Sequence, residues 1–382
     1  MIDTISITLP QDKFKIMDYE KFSPSARNFY EQPYYKLTGK APIKAVLNPT
    51  KELTEKYGYL PRITLFKAVR RGSFPIFLKI EFSIPKLLHG NNFDEVVESD
   101  FGEICWLLKD KLYKMGVNVE DVKYLSLADV STVHYSKNLI LTDYTDPYTY
   151  LQELRKINVS KLQDTNQSDY RNEGHSFKFH SNDYEVIFYD KLKDLQQAKK
   201  SEKRAIESDN YVQLNLFEKY EPKQPFEVLR MEVRIGNRTK LKQILKKHGF
   251  EKLELNFNNL FSKEVSQKIL LSVLKETEKA YPVILNGDKQ TLAEFTAQFQ
   301  VDNPKLNYSQ LLKFIGAKAL IENVGIREFR KLTNRFGDSQ WYRLNKAMQE
   351  LKLSNTFDVF DNLRKQLEES VQVKLEDYKL RM

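Results

Sequence analysis

HSFKFHSNDYEVIFYDK, residues 175–191, is the stretch whose reading decides the fold. Two runs rich in aromatic and β-branched residues flank Ser181-Asn182-Asp183, a set of residues suited to a tight turn, so the segment predicts an antiparallel hairpin. In its second arm, period-2 geometry puts Glu185, Ile187, Tyr189 and Lys191 on one face. A strand that ends on a tyrosine between an acid and a lysine has two readings. It is a strand running out to a polar tip, or it carries a nucleophilic phenol with electrostatic support beside it.

The segments around the hairpin extend the β pattern. MIDTISITLP (1–10) alternates and sets Asp3, Ile5, Ile7 and Leu9 on one face. PIFLKIEFSIP (75–85) places Lys79, Glu81 and Ser83 opposite Leu78, Ile80 and Phe82. VKYLSLADVSTVHYS (122–136) has strand composition throughout, and FEVLRMEVRIG (226–236) sets Arg230, Glu232 and Arg234 against Leu229, Met231, Val233 and Ile235. Helical periodicity covers 94–115, closed by Gly116, and DPYTYLQELRKI opens with Asp146 as cap and Pro147 at the first helical position. DTNQSDYRNEG reads as a polar loop, and residues 192–224 as a charged helix or loop. After about residue 255 the pattern is helical almost throughout. The order predicts an α+β fold, an antiparallel sheet with helices packed on one side, over residues 1–255, followed by a helical C-terminal domain over 256–382.

Bulk composition narrows the function. No apolar run approaches membrane-spanning length, and the first ten residues already read as strand, so a cytoplasmic location without a membrane partner is expected. The single cysteine, Cys105, lies on an apolar helical stripe with Ile104, Leu108 and Leu112 and reads as a buried thiol. Sixty-one Lys and Arg against 52 Asp and Glu give a net charge of +9, which favours nucleic acid as a partner. Placement strengthens this, with eight basic and two acidic residues over 228–252 and nine against four over 311–352. Arg238, Lys240, Lys242, Lys246 and Lys247 lie in the first cluster. Arg327, Arg330, Arg343 and Lys346 lie in the second, where IREFRKLTNRFGDSQWYRLNKAMQEL reads as a helix pair. Ile326, Phe329 and Leu332 form its buried stripe, Gly337-Asp338 its turn and Ser339 the cap of a second helix. Such a pair is compatible with a helix-turn-helix.

Three acids sit inside otherwise apolar strands: Asp129, Glu232 and Glu81. Converging on one sheet face, they would hold a hard divalent cation by oxygen. The other reading pairs Glu232 with Arg230 and Arg234, and Glu81 with Lys79. Structural zinc is not expected from one Cys and five scattered His. His175 and His180, five apart, fall on opposite faces and read as polar hairpin residues, while His89 and His134 stand alone.

The segments MIDTISITLP, KIEFSIPKLLHGNN, LSLADVST, EVIFYDK and LRMEVRI occur in the order of the motifs of the filamentous-phage gene II replication proteins, a group that residues 1–245 resemble. That group and related plasmid initiators nick one strand at an origin to start rolling-circle replication. Tyrosine becomes linked to the 5′ phosphate and a 3′ hydroxyl is left as primer. The resemblance implies a Rep-nuclease-like fold, the family's Y-x-K motif on Tyr189 and Lys191, and its strand acids on Asp129 and Glu232. It further implies Mg²⁺ or Mn²⁺ as cofactor, with Glu81 a third ligand read from the strand pattern. Arg230 and Arg234 are expected on the DNA backbone. The expected partner is single-stranded or hairpin-extruded origin DNA, with a host helicase and a homodimer as further partners. Where the family has Arg-Ile-Asp, this chain has Leu127-Ala128-Asp129, so any role of that arginine passes to Arg230 or Arg234. Two readings compete with this one: a sequence-specific DNA-binding protein without nuclease activity, and a related single-strand transposase or relaxase.

Overall fold

The computed structural model describes residues 1–27, 44–67, 75–141, 146–157, 169–171, 174–194, 227–281, 285, 291–354 and 360–378. Nine strands form one antiparallel sheet. In chain order they are β1 (Ile2–Pro10), β3 (Lys44–Leu47), β4 (Arg62–Lys67), β5 (Ile76–Ser83), β7 (Asp129–Leu141), β8 (Asp169–Arg171), β9 (Ser176–Ser181), β10 (Tyr184–Asp190) and β11 (Glu227–Ile235). Their spatial order is β3-β4-β5-β1-β7-β11-β10-β9-β8. Two short strands, β2 (Lys15–Ile16) and β6 (Val117–Asn118), pair separately. The expected hairpin is β9–β10, with Ser181 opposite Tyr184 across a two-residue Asn182-Asp183 turn.

Alternation is what gives the sheet two unlike faces. Ile5, Ile7 and Leu9 of β1, Leu78, Ile80 and Phe82 of β5, and Leu229, Met231 and Val233 of β11 are all buried on one side. Helices cover that side. The helix α3 (Phe101–Lys114) contributes Ile104, Cys105, Leu108 and Leu112, and burial pushes the Cys105 thiol up to about 12. The short helix α7 (Phe257–Leu260) sets Phe257 edge-on against Phe82 at 5.8 Å, and the Tyr135 hydroxyl donates to Leu260 O at 3.3 Å. The long helix α8 (Lys263–Ala280) packs on β7 and β11. One continuous hydrophobic core runs from β1 to Leu367, so residues on both sides of the expected division near 255 share it.

The opposite face is polar, and described residues cover one end of it. There Ile140 and Val228 meet Phe93, Val373 and Leu375. Glu95 ties this cover down: its Oε1 accepts from Asn138 N (2.7 Å), and its Oε2 accepts from Lys137 Nζ (2.5 Å) and Val373 N (3.1 Å). Gln366, on helix α12 (Asp361–Glu369), bonds both the N–H and the C=O of Ile140, each at 2.7 Å. Two side chains therefore stand where a further strand would pair with the exposed edge of β7.

Several expectations are corrected. Residues 122–136 are not one strand. Asp121 accepts from Lys123 N at 2.8 Å and caps a short helix, α4 (Val122–Ser126), so β7 begins only at Asp129. Part of the expected loop before the hairpin is strand β8. Most of 192–224 lies outside the described residues. In the C-terminal pair, α10 (Tyr308–Asn334) is broken at Gly325 (φ 78°), and α11 (Asp338–Gln349) follows Gly337. Ile326 and Phe329 are buried, the latter edge-on to Trp341 at 6.1 Å, but Leu332 is exposed. Gly337 takes the cap position, which leaves Ser339 inside the helix. The remaining helices are α1 (Lys51–Tyr57), α2 (Ile84–His89), α5 (Pro147–Leu154, capped by Asp146), α6 (Arg238–Lys247) and α9 (Leu292–Asp302). Among the described residues, no helix is long and apolar enough to cross a membrane.

Glu95 and Lys137 have side chains only 11% and 5% exposed. Removing one partner of such a pair strands the other charge. Glu95→Ala is expected to lower the unfolding free energy in urea by about 3–5 kcal/mol, with Glu95→Gln intermediate.

Candidate active site on the polar sheet face

Register places the site. Across β10, β11 and β7, Tyr189 stands opposite Arg230 and Arg230 opposite Asn138; Ile187, Glu232 and Ser136 form the next row, then Glu185, Arg234 and His134. Directly opposed residues share a face, so these side chains meet on the polar side of the sheet.

Arg230 is the centre of the first row. Its guanidinium is 3% exposed and donates to Asn92 O (2.6 Å), Asn138 Oδ1 (3.4 Å), Ser136 Oγ (2.9 Å) and Asp3 Oδ1 (2.5 Å). Its Nε has no partner among the described residues. Asp3 reaches it through a break in alternation. The β1–β7 register shifts between Ile2 and Thr4, and the resulting bulge turns Asp3 away from the core side expected for it. An arginine stays charged in such a setting, so the pocket holds a permanent cation.

Tyr189 is half-buried beside that cation. Burial raises its pKa well above the usual phenol value; Arg230 opposes the rise, while Glu232, Asp194 and Asp3 add to it. Lys191 follows at the end of β10, fully buried, with Nζ 5.7 Å from the centre of the Tyr189 ring.

Glu232 is also buried and is held by Arg234 through two bonds, Nε–Oε1 at 3.0 Å and Nη2–Oε2 at 3.1 Å. His134 Nδ1 lies 3.5 Å from Oε1. Burial alone would raise the Glu232 pKa, but His134 and Arg234 together hold it far below the usual carboxylate range. Arg234 is shared with Glu185 (3.6 Å), which also meets Lys178 (3.4 Å).

The three acids expected to ligate a metal do not converge. Asp129 is the first residue of β7, exposed and paired with Arg238 at 2.9 Å. It lies seven residues from Ser136, the neighbour of Glu232, or roughly 20 Å along the strand. Glu81 pairs with Lys79 at 3.3 Å and faces Ser6, three strands away from Glu232 in the sheet. Each acid has its own cation. Among the described residues no three His, Cys, Asp or Glu side chains are placed to hold a metal ion. Asp129, Glu81 and Glu232 as placed therefore do not fit a shared Mg²⁺ or Mn²⁺.

The expected DNA contacts divide similarly. Arg230 is buried and committed to protein partners, and Arg234 is largely engaged by Glu232. On α6, Lys242, Lys246 and Lys247 are exposed, Lys247 pairing with Glu276, while Lys240 lies over the Tyr184 ring. Arg343 and Lys346 are exposed, Arg330 is half-exposed, and the side chain of Arg327 lies outside the described residues. Aromatic Phe336 and Tyr342 stand out into solvent beside them. Sequence reading missed Asp3, whose parity only the bulge reveals, and His134, which had no partner in the sequence to mark it.

Comparison with models of known protein families, with curated proteins and with solved structures gave no match.

The low pKa of Glu232 fixes the sign of a pH effect. A carboxylate held below its unfolded value contributes stability above about pH 4 and loses it as pH falls. Glu232→Gln is expected to cost about 3 kcal/mol at pH 6. In urea unfolding, the gap between the two proteins should narrow steadily below about pH 4.

Proposed function

We propose that this chain is a DNA strand-nicking and joining enzyme of the rolling-circle replication type, with Tyr189 as nucleophile. The observation that carries the reading is a half-buried phenol on a polar sheet face, set directly opposite a fixed, buried guanidinium. A phenol needs help to attack a phosphodiester, and a permanent cation beside it favours the phenolate and the charge that develops on phosphate. Tyr189 Oη bonds to phosphorus, the P–O3′ bond breaks, and the 3′ oxygen leaves as the primer end. The product is a 5′-phosphotyrosyl link, which the 3′ hydroxyl can reverse.

Within this reading Arg230 and the Glu232–Arg234–His134 group position and polarise. No step runs through a metal, because Asp129, Glu81 and Glu232 are each paired with one of the protein's own cations. The order of motifs resembling the gene II replication proteins supports the same chemistry, as does the excess of exposed basic residues on α6 and the α10–α11 pair. A DNA-binding protein without nuclease activity is favoured by one observation: Asp129 and Glu81 lie apart, each in an ordinary surface ion pair.

An adduct assay separates the two. Wild type and Tyr189→Phe are incubated with labelled single-stranded oligonucleotides tiled across the replicon, with Mn²⁺ or with EDTA, at several salt concentrations. The proposal expects a denaturant-resistant adduct in wild type, reduced at least about a thousandfold in Tyr189→Phe. The EDTA arm reports whether an ion brought in with DNA is required. Salt-sensitive complexes without any adduct would support the binding protein instead.

A further inference from the structure

Tyr189 cannot lose its proton unaided, because burial raises its pKa. The surroundings offer few places for that proton to go. Asp3 is engaged by Arg230 and by the Thr4 hydroxyl, at 2.5 and 2.9 Å. Both oxygens of Glu232 are taken by Arg234, and His134 is turned to the same carboxylate.

Lys191 differs from all of these. Its side chain is wholly removed from solvent, and its Nζ makes no hydrogen bond with any described residue. Among the described residues the acid that meets it is half-exposed Asp194, at 3.9 Å, beyond hydrogen-bond range. The charged groups that face it are Arg230 and Glu232 from β11, Asp3 from β1 and that Asp194. An ammonium buried without a hydrogen bond carries a penalty of several kcal/mol, which the neutral amine avoids. Burial first, then Arg230, lowers the Lys191 pKa to about 7. At neutral pH much of it is therefore a free amine, with Nζ 5.7 Å from the centre of the Tyr189 ring and not yet bonded to its hydroxyl.

We infer that Lys191 is the general base of the site, taking the phenolic proton of Tyr189 as the phenol attacks. This rests on Tyr189 being the nucleophile. In the forward step the Oη–H bond breaks and the proton passes to Nζ. The Oη–P bond forms as P–O3′ breaks, and the departing 3′ oxygen takes its proton from solvent. In the rejoining step the 3′ hydroxyl attacks phosphorus and gives its proton to solvent, the Oη–P bond breaks, and the Lys191 ammonium returns its proton to the phenolate that leaves. The role differs from that of a fixed cation. Arg230 already supplies one, and a lysine held as an ammonium could not accept a proton.

Single-turnover adduct formation across about pH 5.5–9 tests this, with wild type, Lys191→Met, Lys191→Arg and Lys191→Ala. The wild-type rate is expected to rise with pH and level off above about 7. Lys191→Met keeps the volume of the side chain and should fold, as checked by its thermal transition. Its rate is expected to fall about 10²–10⁴-fold and to lose the inflection near neutrality. Lys191→Arg, which keeps the charge but cannot accept a proton at these pH values, should fall as far. Ethylamine should partly restore Lys191→Ala, in proportion to the free-base concentration. A wild type that forms adduct beside a Lys191→Arg or Lys191→Met variant within about threefold, with the same inflection, would overturn the general-base role and leave the nucleophile standing. Absence of adduct in wild type would instead remove the nucleophile and this role together.

Discussion

The buried guanidinium of Arg230 is the constraint around which the polar half of this molecule is arranged. A charge withdrawn from water costs several kcal/mol unless its hydrogen bonds are met. Here all but that of Nε are met, from three directions: Asp3 from β1, Ser136 and Asn138 from β7, and the Asn92 carbonyl from the cover over the sheet end. Each partner is bound by this need to a particular position. Asp3 reaches Arg230 only because β1 carries a bulge. Asn92 stays in place because Glu95, three residues on, fastens the same segment to β7 and to Val373. Arg230 is thus one of the ties between the cover and the sheet, beside the Glu95–Lys137 pair and Gln366.

The same economy governs the rest of the polar face. Glu232, Glu185, Glu81 and Asp129 each meet a basic side chain within 4 Å, so the face carries many charges but few unsatisfied ones. Paired groups of this kind hold geometry and do little chemistry. Among the described residues three incompletely satisfied groups stand together here: Arg230 Nε and Lys191 Nζ, neither with a hydrogen bond, and the half-buried phenol of Tyr189. Groups left incompletely satisfied in an otherwise paired surface are where reactivity is expected.

Much of this was legible in the sequence, because alternation is a local property. The β9–β10 hairpin, the parity that puts Tyr189 with Lys191 and Arg230 with Glu232, the caps at Asp146 and Gly116, and the buried Cys105 all follow from neighbours within a few residues. What failed was non-local. Strand composition over 122–136 did not reveal that Asp121 starts a helix, and so Asp129 was expected mid-strand when it opens β7 at an exposed end. Nothing in MIDTISITLP marks the bulge that reverses Asp3. The distance between Asp129 and Glu232 depends on strand register, which no single segment encodes. His134 gains its meaning from Glu232 in β11, which it meets at 3.5 Å.

The central claim is that the unsatisfied trio on this face includes the nucleophile. Tandem mass spectrometry of a protease digest of the covalent DNA complex tests it at the level of a single side chain. A nucleotide mass increment on the phenol of Tyr189, in the peptide containing EVIFYDK, is the predicted result. An increment on any other residue, such as the solvent-exposed Tyr342 or Tyr148, would contradict the account.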